Sequence, residues 1–153
     1  MPVIELLSLP PSGPLLGIAP GQKRIGLALS DTQRLIASPL LQLARGRKLK
    51  PTLVQLAAIY SKHDCVGIII GLPLNMDGSA GPSTQATKAF VYHLLHTLDV
   101  PLAYQDERLS SAQAERVMLE ADLSRSRRAQ SRDASAAAII LQTALDRIAN
   151  LKS

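Results

Sequence analysis

Carboxylates that follow apolar segments are the residues of this chain whose types and spacing could bind a metal ion. Asp106 and Glu107 come shortly after the apolar segment that ends at Tyr104, and Asp133 stands where an alanine-rich segment begins. Oxygen ligands suit Mg²⁺ or Mn²⁺, which bridge phosphate oxygens in phosphodiester cleavage. The spacing alone leaves a second interpretation open, in which Asp106 and Glu107 are surface acids and Asp133 stabilises a helix N-terminus.

A turn between two short apolar segments combines small residues with cations. The first apolar segment, Leu15–Ile18, ends at Ala19-Pro20-Gly21, and the second begins after Lys23 and Arg24. Small residues let a ligand approach the backbone closely, and Lys and Arg are suited to binding phosphate. A phosphate-cleaving site also needs an acid at the end of this first strand, and that position holds Ala19.

Two further segments have the composition of anion-binding loops. Residues 71–79, which include Asn75, follow a strand-like segment and offer amide and backbone N–H groups, although an ordinary turn has the same composition. Residues 124–132 contain four arginines in nine residues with no acid among them. A solvated basic loop would look the same, but the guanidinium group matches phosphate geometry and favours contact with nucleic acid.

The elements that must position these residues follow from hydrophobic patterning. The first two apolar segments predict a β-hairpin, and a third strand at 33–43 is placed at or near a sheet edge because it contains Pro39. The remaining elements are predicted as helix 51–62, strand 66–70, helix 82 to about 98, strand 100–104, a helix after Ser110 and a last helix from near Asp133. This order predicts an α/β fold with a mixed five-stranded sheet and helices on both faces. Such sheets bind ligands beyond the carboxyl ends of their strands.

Composition narrows the classes of protein and partner. The chain has 153 residues, 46% of them hydrophobic and 19% charged, and a net charge of +5, which predicts one domain and favours an anionic partner. Aromatic residues make up 3%, so base stacking on aromatic side chains is not expected to dominate binding. The single cysteine excludes an internal disulfide.

The ends of the chain and its apolar segments predict where the protein resides. Residues 1–14 read as a loosely ordered, proline-rich extension, and residues 15–153 as the folded domain. The start lacks the features of a signal peptide, and no apolar segment approaches the roughly 20 residues that cross a bilayer. We therefore expect a cytoplasmic protein that does not bind membranes.

Several of these segments together resemble the YqgF (RuvX) family. The matching segments are 17–26, 71–79, 106–110 and 120–125 followed by 133–137. The family comprises Holliday-junction-resolvase-like proteins that are mostly described as pre-16S rRNA nucleases. The resemblance implies a ribonuclease-H-like fold and a Mg²⁺- or Mn²⁺-dependent endonuclease that processes the 5′ end of the 16S rRNA precursor.

The resemblance also implies roles for individual residues. Glu107 and Asp133 match two of the family's three metal-binding acids, and Asp106 lies beside them as a supporting acid. RNA, as rRNA precursor or ribosomal subunit precursor, or another structured nucleic acid is the implied partner of a monomer or homodimer. The implied nucleic-acid contacts are Lys23, Arg24, Asn75, Arg108, Arg125, Arg127, Arg128 and Arg132.

The chain departs from the family pattern at the first-strand acid. Ala19 occupies that position, and alanine supplies neither an oxygen ligand nor a negative charge, so metal affinity should be weakened or absent. Asp31, after the second strand, would lie at another edge of the sheet and is not expected to substitute. Two alternatives therefore accompany the nuclease hypothesis: a non-catalytic RNA-binding or ribosome-assembly module, and a Holliday-junction resolvase.

Overall fold

A computed structural model describes residues 3–21, 23–109 and 129–152 of the chain. These residues form five strands and three α-helices: β1 Leu15–Pro20, β2 Arg24–Ser30, β3 Ala37–Ala44, α1 Leu49–Lys62, β4 Gly67–Leu72, α2 Pro82–Thr97, β5 Leu102–Asp106 and α3 Ala129–Lys152. Short 3₁₀ turns cover Leu6–Ser8 and Glu107–Leu109. No helix in these ranges is both long and apolar enough to span a bilayer.

The strands form one mixed sheet in the order β3-β2-β1-β4-β5. The strands β1, β4 and β5 run parallel, and β2 runs antiparallel to both of its neighbours. The C-termini of β1, β4 and β5 therefore meet the start of β2 and the end of β3 at one end of the sheet. We call this the carboxyl end of the sheet, and it holds the segments that the sequence singles out.

The edge position predicted for the proline-containing strand is confirmed. Pro39 lies in β3 opposite Ala28, next to a register irregularity in the ladder. The strand begins at Ala37, four residues later than the predicted boundary, because the backbone N–H groups of Leu35 and Ile36 donate to the Asp31 carboxylate at 2.7 and 3.0 Å. Asp31 thus caps a turn at the end of the sheet remote from Ala19.

Helices cover both faces of the sheet, as predicted. The helices α1 and α2 bury Leu56, Phe90 and Leu94 against one face. The helix α3 packs on the other face through an alanine-rich surface that includes Ala137 and Leu141. A Cβ at Gly17 would lie 2.7 Å from the Leu141 Cβ, so this glycine in β1 lets α3 approach the centre of the sheet closely.

The N-terminal segment packs on the domain, where the sequence predicts a loose extension. The backbone N–H of Ile4 donates to the Leu102 carbonyl oxygen at 2.9 Å, so this segment lies along the outer edge of β5. Leu6 and Leu9 are buried in the cluster that contains α3. The apolar side chains of the segment therefore cover part of the core that β5 and α3 would otherwise leave exposed.

Candidate active site

Ala19 lies at the carboxyl end of β1, on the face of the sheet that α3 covers. Its ladder partner in β2 is Gly26, so both residues face the same side. A Cβ built at Gly26 would overlap the backbone oxygen of Asp133. The absence of a side chain at Gly26 therefore allows α3 to place Asp133 directly over β2, beside Ala19.

Glu107 lies on the opposite side of Ala19. Gly71 follows Ile70, which pairs with Ile18 in β1, so Gly71 continues β4 beside Ala19. A Cβ at Gly71 would lie 2.6 Å from the Glu107 Oε1 and 2.6 Å from the Cδ1 of Ile140 in α3. The Glu107 carboxylate is therefore held between β4 and α3, and Glu107 is only 2% exposed.

Glu107 and Asp133 lie on the two sides of Ala19 because β1 lies between β2 and β4. Adjacent strands are about 4.8 Å apart, so the backbones beneath Asp133 and Glu107 are separated by about 10 Å, with Ala19 between them. Ala19 is 4% exposed and packs among α3 residues such as Ala137. A carboxylate at position 19 would thus stand between Glu107 and Asp133.

Sequence reasoning missed Gly26 and Gly71 as residues that shape the site. Both are glycines inside otherwise apolar strands, a pattern that often marks close approach of another backbone or group. Here the missing side chain of Gly26 leaves space for the α3 backbone, and that of Gly71 leaves space for the Glu107 carboxylate. The two glycines therefore marked sites of close approach in the sequence, but the sequence did not indicate which group approaches each of them.

The donor atoms at this site do not fit a pair of divalent metal ions. Ala19 has no oxygen ligand, and the Asp133 Oδ2 accepts a hydrogen bond from the Arg24 Nε at 3.1 Å. Among the described residues, no group of three or more Asp, Glu, His or Cys side chains is arranged to hold a metal. A two-metal site needs several oxygen ligands that clamp both ions, and Glu107 and Asp133 alone provide too few.

Asp106 is next to Glu107 in the chain but points to a different partner. Its carboxylate accepts hydrogen bonds from the Arg108 backbone N–H at 2.8 Å and from the Arg108 Nη2 at 2.8 Å. Burial raises the pKa of the Asp106 carboxyl, but the hydrogen bonds and positive charge of Arg108 outweigh burial, and the net pKa is lowered. Asp106 therefore holds Arg108 in place.

Arg108 connects the end of β5 to the loop after β4. Its Nη1 donates to the Met76 carbonyl oxygen at 3.3 Å, and its guanidinium lies against Gly78, which has a φ of +90°. Within this loop, the Asn75 Nδ2 donates to the Ser79 Oγ at 3.0 Å. The hydrogen bonds that Ser79 donates lower the pKa of the Asp77 carboxyl, and Arg108 adds to this effect. The loop is thus an ordered turn at the carboxyl end of the sheet.

The Asp106–Arg108 pair predicts a pH-dependent contribution to stability. The folded-state pKa of Asp106 is lowered, so its contribution is present above the ordinary carboxyl pKa and is lost as the pH falls through the folded value. We expect a double-mutant cycle of Asp106→Asn and Arg108→Gln to give a favourable coupling free energy at pH 7. Urea unfolding at pH 7 and at a series of pH values below the ordinary carboxyl pKa measures it, and a coupling that does not decline across that acidic series would contradict the assignment.

The remaining side chains predicted to contact nucleic acid differ in their exposure and pairing. Lys23 is exposed beside the β1–β2 turn, whereas Arg24 is paired with Asp133. Arg125, Arg127 and Arg128 lie outside the described residues.

Arg132 belongs to α3, which begins at Ala129 and not near Asp133 as predicted. Asp133 therefore lies beyond the first turn of its helix, so the alternative of a first-turn acid that stabilises the helix N-terminus does not apply.

Comparison with known proteins identifies the family. Residues 13–147 match the family model described as "RuvX: Holliday junction resolvase". The chain belongs to the RuvX family. A RuvX-family relative from Cereibacter sphaeroides (strain ATCC 17025), named "Putative pre-16S rRNA nuclease", is 49% identical over 143 residues, which cover 94% of this chain and 89% of the relative. A relative of the same name from Rhodobacter capsulatus is 49% identical over 144 residues, or 94% of this chain and 90% of the relative.

Solved structures confirm the ribonuclease-H-like fold expected of a RuvX-family member. Thermus thermophilus RuvC in complex with a Holliday junction substrate matches with a TM-score of 0.55, over 88% of this chain and 95% of that chain. The sequence identity is 14%, so this likeness shows the fold alone. At the level of the family, the relatives' name supports a hydrolase that acts on nucleic acid.

Proposed function

We propose that this chain binds the 5′ precursor region of 16S rRNA through the nuclease scaffold of its family, and that Ala19 suppresses cleavage. The relatives named as pre-16S rRNA nucleases, at 49% identity over most of the chain, support the substrate. The position of Ala19 between Glu107 and Asp133, on the face covered by α3, carries the second part of the proposal. Action on an rRNA precursor would place the protein in the cytoplasm.

The reduction in cleavage follows from the electrostatics of metal binding. In the cleaving form of this scaffold, Mg²⁺ or Mn²⁺ would stabilise the charge that develops on the phosphate, with Glu107 and Asp133 as two of the ligands. Without a carboxylate at position 19, the site has one negative charge and one ligand fewer, and Arg24 neutralises part of the charge on Asp133. The same scaffold retains cations that hold a phosphate backbone, so binding does not require the metal.

A Holliday junction is the second candidate substrate. The family model is described as a Holliday junction resolvase, which is the observation that favours it. The relatives' name favours the rRNA precursor. Side-by-side assays on a four-way DNA junction and on an RNA that carries the 5′ precursor stem of 16S rRNA separate these candidates.

The decisive experiment compares the native chain with Ala19→Asp. We expect Mg²⁺-dependent, single-turnover cleavage of the precursor RNA by Ala19→Asp to exceed that of the native chain by about 100-fold or more, which corresponds to roughly 3 kcal/mol of transition-state stabilisation. The gain should be absent in Ala19→Asn, which has nearly the same size without the charge, and should disappear in Ala19→Asp combined with Glu107→Gln.

Three outcomes would count against the proposal. Equal cleavage by the native chain and Ala19→Asp would show that position 19 does not limit catalysis. RNA binding without cleavage by any variant would favour the non-catalytic RNA-binding or ribosome-assembly module. Faster cleavage of the four-way junction than of the precursor RNA would favour the resolvase.

A further inference from the structure

A basic segment, defined here as residues 45–50, has a charge pattern that the candidate active site does not use. It contains Arg45, Arg47, Lys48 and Lys50, and the chain has no Asp or Glu between Asp31 and Asp64. Arg47, Lys48 and Lys50 are exposed to solvent. The surface is therefore strongly positive, with no neighbouring acid from its own stretch of chain to neutralise it.

The local backbone makes this concentration of charge unfavourable in isolation. The helix α1 begins at Leu49, immediately after Lys48, and has no acidic residue in its first turn. A helix N-terminus carries a partial positive charge that favours anions and disfavours cations. Lys48 and Lys50 therefore repel both each other and the helix terminus, and a bound anion would relieve this repulsion.

Hydrogen bonds hold the basic segment at the carboxyl end of the sheet. The backbone N–H of Arg45 donates to the Lys23 carbonyl oxygen at 2.8 Å, and the Arg45 Nη1 donates to the Gly21 carbonyl oxygen at 3.0 Å. The Arg45 guanidinium also lies 5.5 Å from the centre of the Phe90 ring. Arg45 thus attaches the start of the segment to the β1–β2 turn, at the same end of the sheet as Ala19.

The pairing of the strands gives the approximate distance between Ala19 and the basic segment. Ala44, the last residue of β3, pairs with Arg24, and β3 is two strands away from β1. Two strand spacings amount to about 10 Å, so the basic segment lies beyond that distance from Ala19. Exposed Lys23, just before β2, lies between them and adds one more cation at this end of the sheet.

We propose that Arg47, Lys48 and Lys50 bind the phosphate backbone of RNA that flanks the segment held at Ala19. This inference rests on the proposed function for the identity of the RNA and extends it to a second contact surface. The basic segment anchors the RNA outside the site by charge attraction, without reading its bases. It would therefore add affinity for long precursors more than for short oligonucleotides that only fill the site.

The test compares two variants of equal net charge in the full-length protein. Lys48→Gln combined with Lys50→Gln removes two cations of the basic segment. Lys62→Gln combined with Lys152→Gln removes two exposed cations, one at the other end of α1 and one at the end of α3. Binding to the 5′ precursor RNA of 16S rRNA is measured by fluorescence anisotropy from 50 to 200 mM KCl with EDTA present, so that no metal or cleavage is involved.

We expect the basic-segment variant to weaken binding by about tenfold at 100 mM KCl and to reduce the slope of log K against log salt by about 1.5, whereas the control changes the slope little. The variant should be at least as stable as the native chain to thermal unfolding, since it removes repulsion at the N-terminus of α1. Equal weakening by both variants, no weakening by either, or no RNA binding by the native chain would overturn the inference.

The outcome for the basic segment can be distinguished from that of the proposed function. If an unrelated RNA hairpin of equal length binds as tightly as the precursor and shows the same loss in the variant, the inference stands and the choice of substrate fails. If Ala19→Asp cleaves nothing while the salt slopes behave as expected, only the account of cleavage fails.

Discussion

Replacement of Ala19 by Asp is expected to destabilise the metal-free protein and to make its stability depend on Mg²⁺. Position 19 is 4% exposed and lies between Glu107 on the β4 side and Asp133 on the β2 side, so a new carboxylate there is desolvated and adds a negative charge to two existing ones. We expect a loss of roughly 2 kcal/mol or more in EDTA at pH 7. Mg²⁺ at 100 times its dissociation constant should return about 2.7 kcal/mol, because it binds only the folded form. Thermal unfolding with EDTA and with Mg²⁺ measures both effects.

The matched controls are the native chain and Ala19→Asn. The native chain lacks the ligand and should gain little stability from Mg²⁺, and the asparagine variant has nearly the same shape without the charge. For each of these two proteins, the unfolding temperature in Mg²⁺ should be almost the same as in EDTA. If Mg²⁺ stabilised the native chain as much as Ala19→Asp, then Glu107 and Asp133 would suffice for metal binding, and the role given to Ala19 would be wrong.

Replacement of Gly26 by Ala should have the second large effect, on stability and on the position of Asp133. The new Cβ would overlap the Asp133 backbone oxygen, and the N-terminal part of α3 would have to move away from β2. Overpacking of a close backbone contact costs about 3 kcal/mol, because neither backbone can rotate away as a side chain would. Urea unfolding of the native chain and the variant at pH 7 measures this loss.

Gly46→Ala is the matched control for this change. A Cβ at Gly46 would have the Lys48 carbonyl oxygen at 3.9 Å as its nearest neighbour, and Gly46 is exposed. Its effect should stay within about 0.5 kcal/mol, as for ordinary surface substitutions. If Gly26→Ala reduced the free energy of unfolding as little as Gly46→Ala, then α3 would not contact β2 closely at Gly26. The placement of Asp133 beside Ala19 would then be wrong.

Much of the fold could be predicted from the order of elements along the chain. The apolar segments, the Pro-Gly turn after Ala19 and the proline in β3 led to a mixed five-stranded sheet with helices on both faces, which the structure confirms. These features are local, since strand periodicity and the missing N–H of proline act within a few residues. The spaced motifs also led to the family, which the family model and the relatives confirm.

The candidate site was predicted less completely, and the neighbours Asp106 and Glu107 show why. Their order in the chain gives both the same interpretation, as acids after a strand. The backbone enters a 3₁₀ turn at Glu107, which buries its carboxylate over Gly71, whereas Asp106 binds Arg108. Contacts between residues far apart in the chain, such as the 3.1 Å hydrogen bond from Arg24 to Asp133, depend on how α3 crosses the sheet.

The sequence by itself thus determined the family and the order of the elements, because both depend on residue types and spacing along the chain. Only the tertiary structure decided that Ala19 stands between Glu107 and Asp133, that two glycines make room for this arrangement, and that the basic segment lies at the same end of the sheet. The physical reason is that these relations depend on strand order and on the closest approach of backbones, which no local pattern encodes.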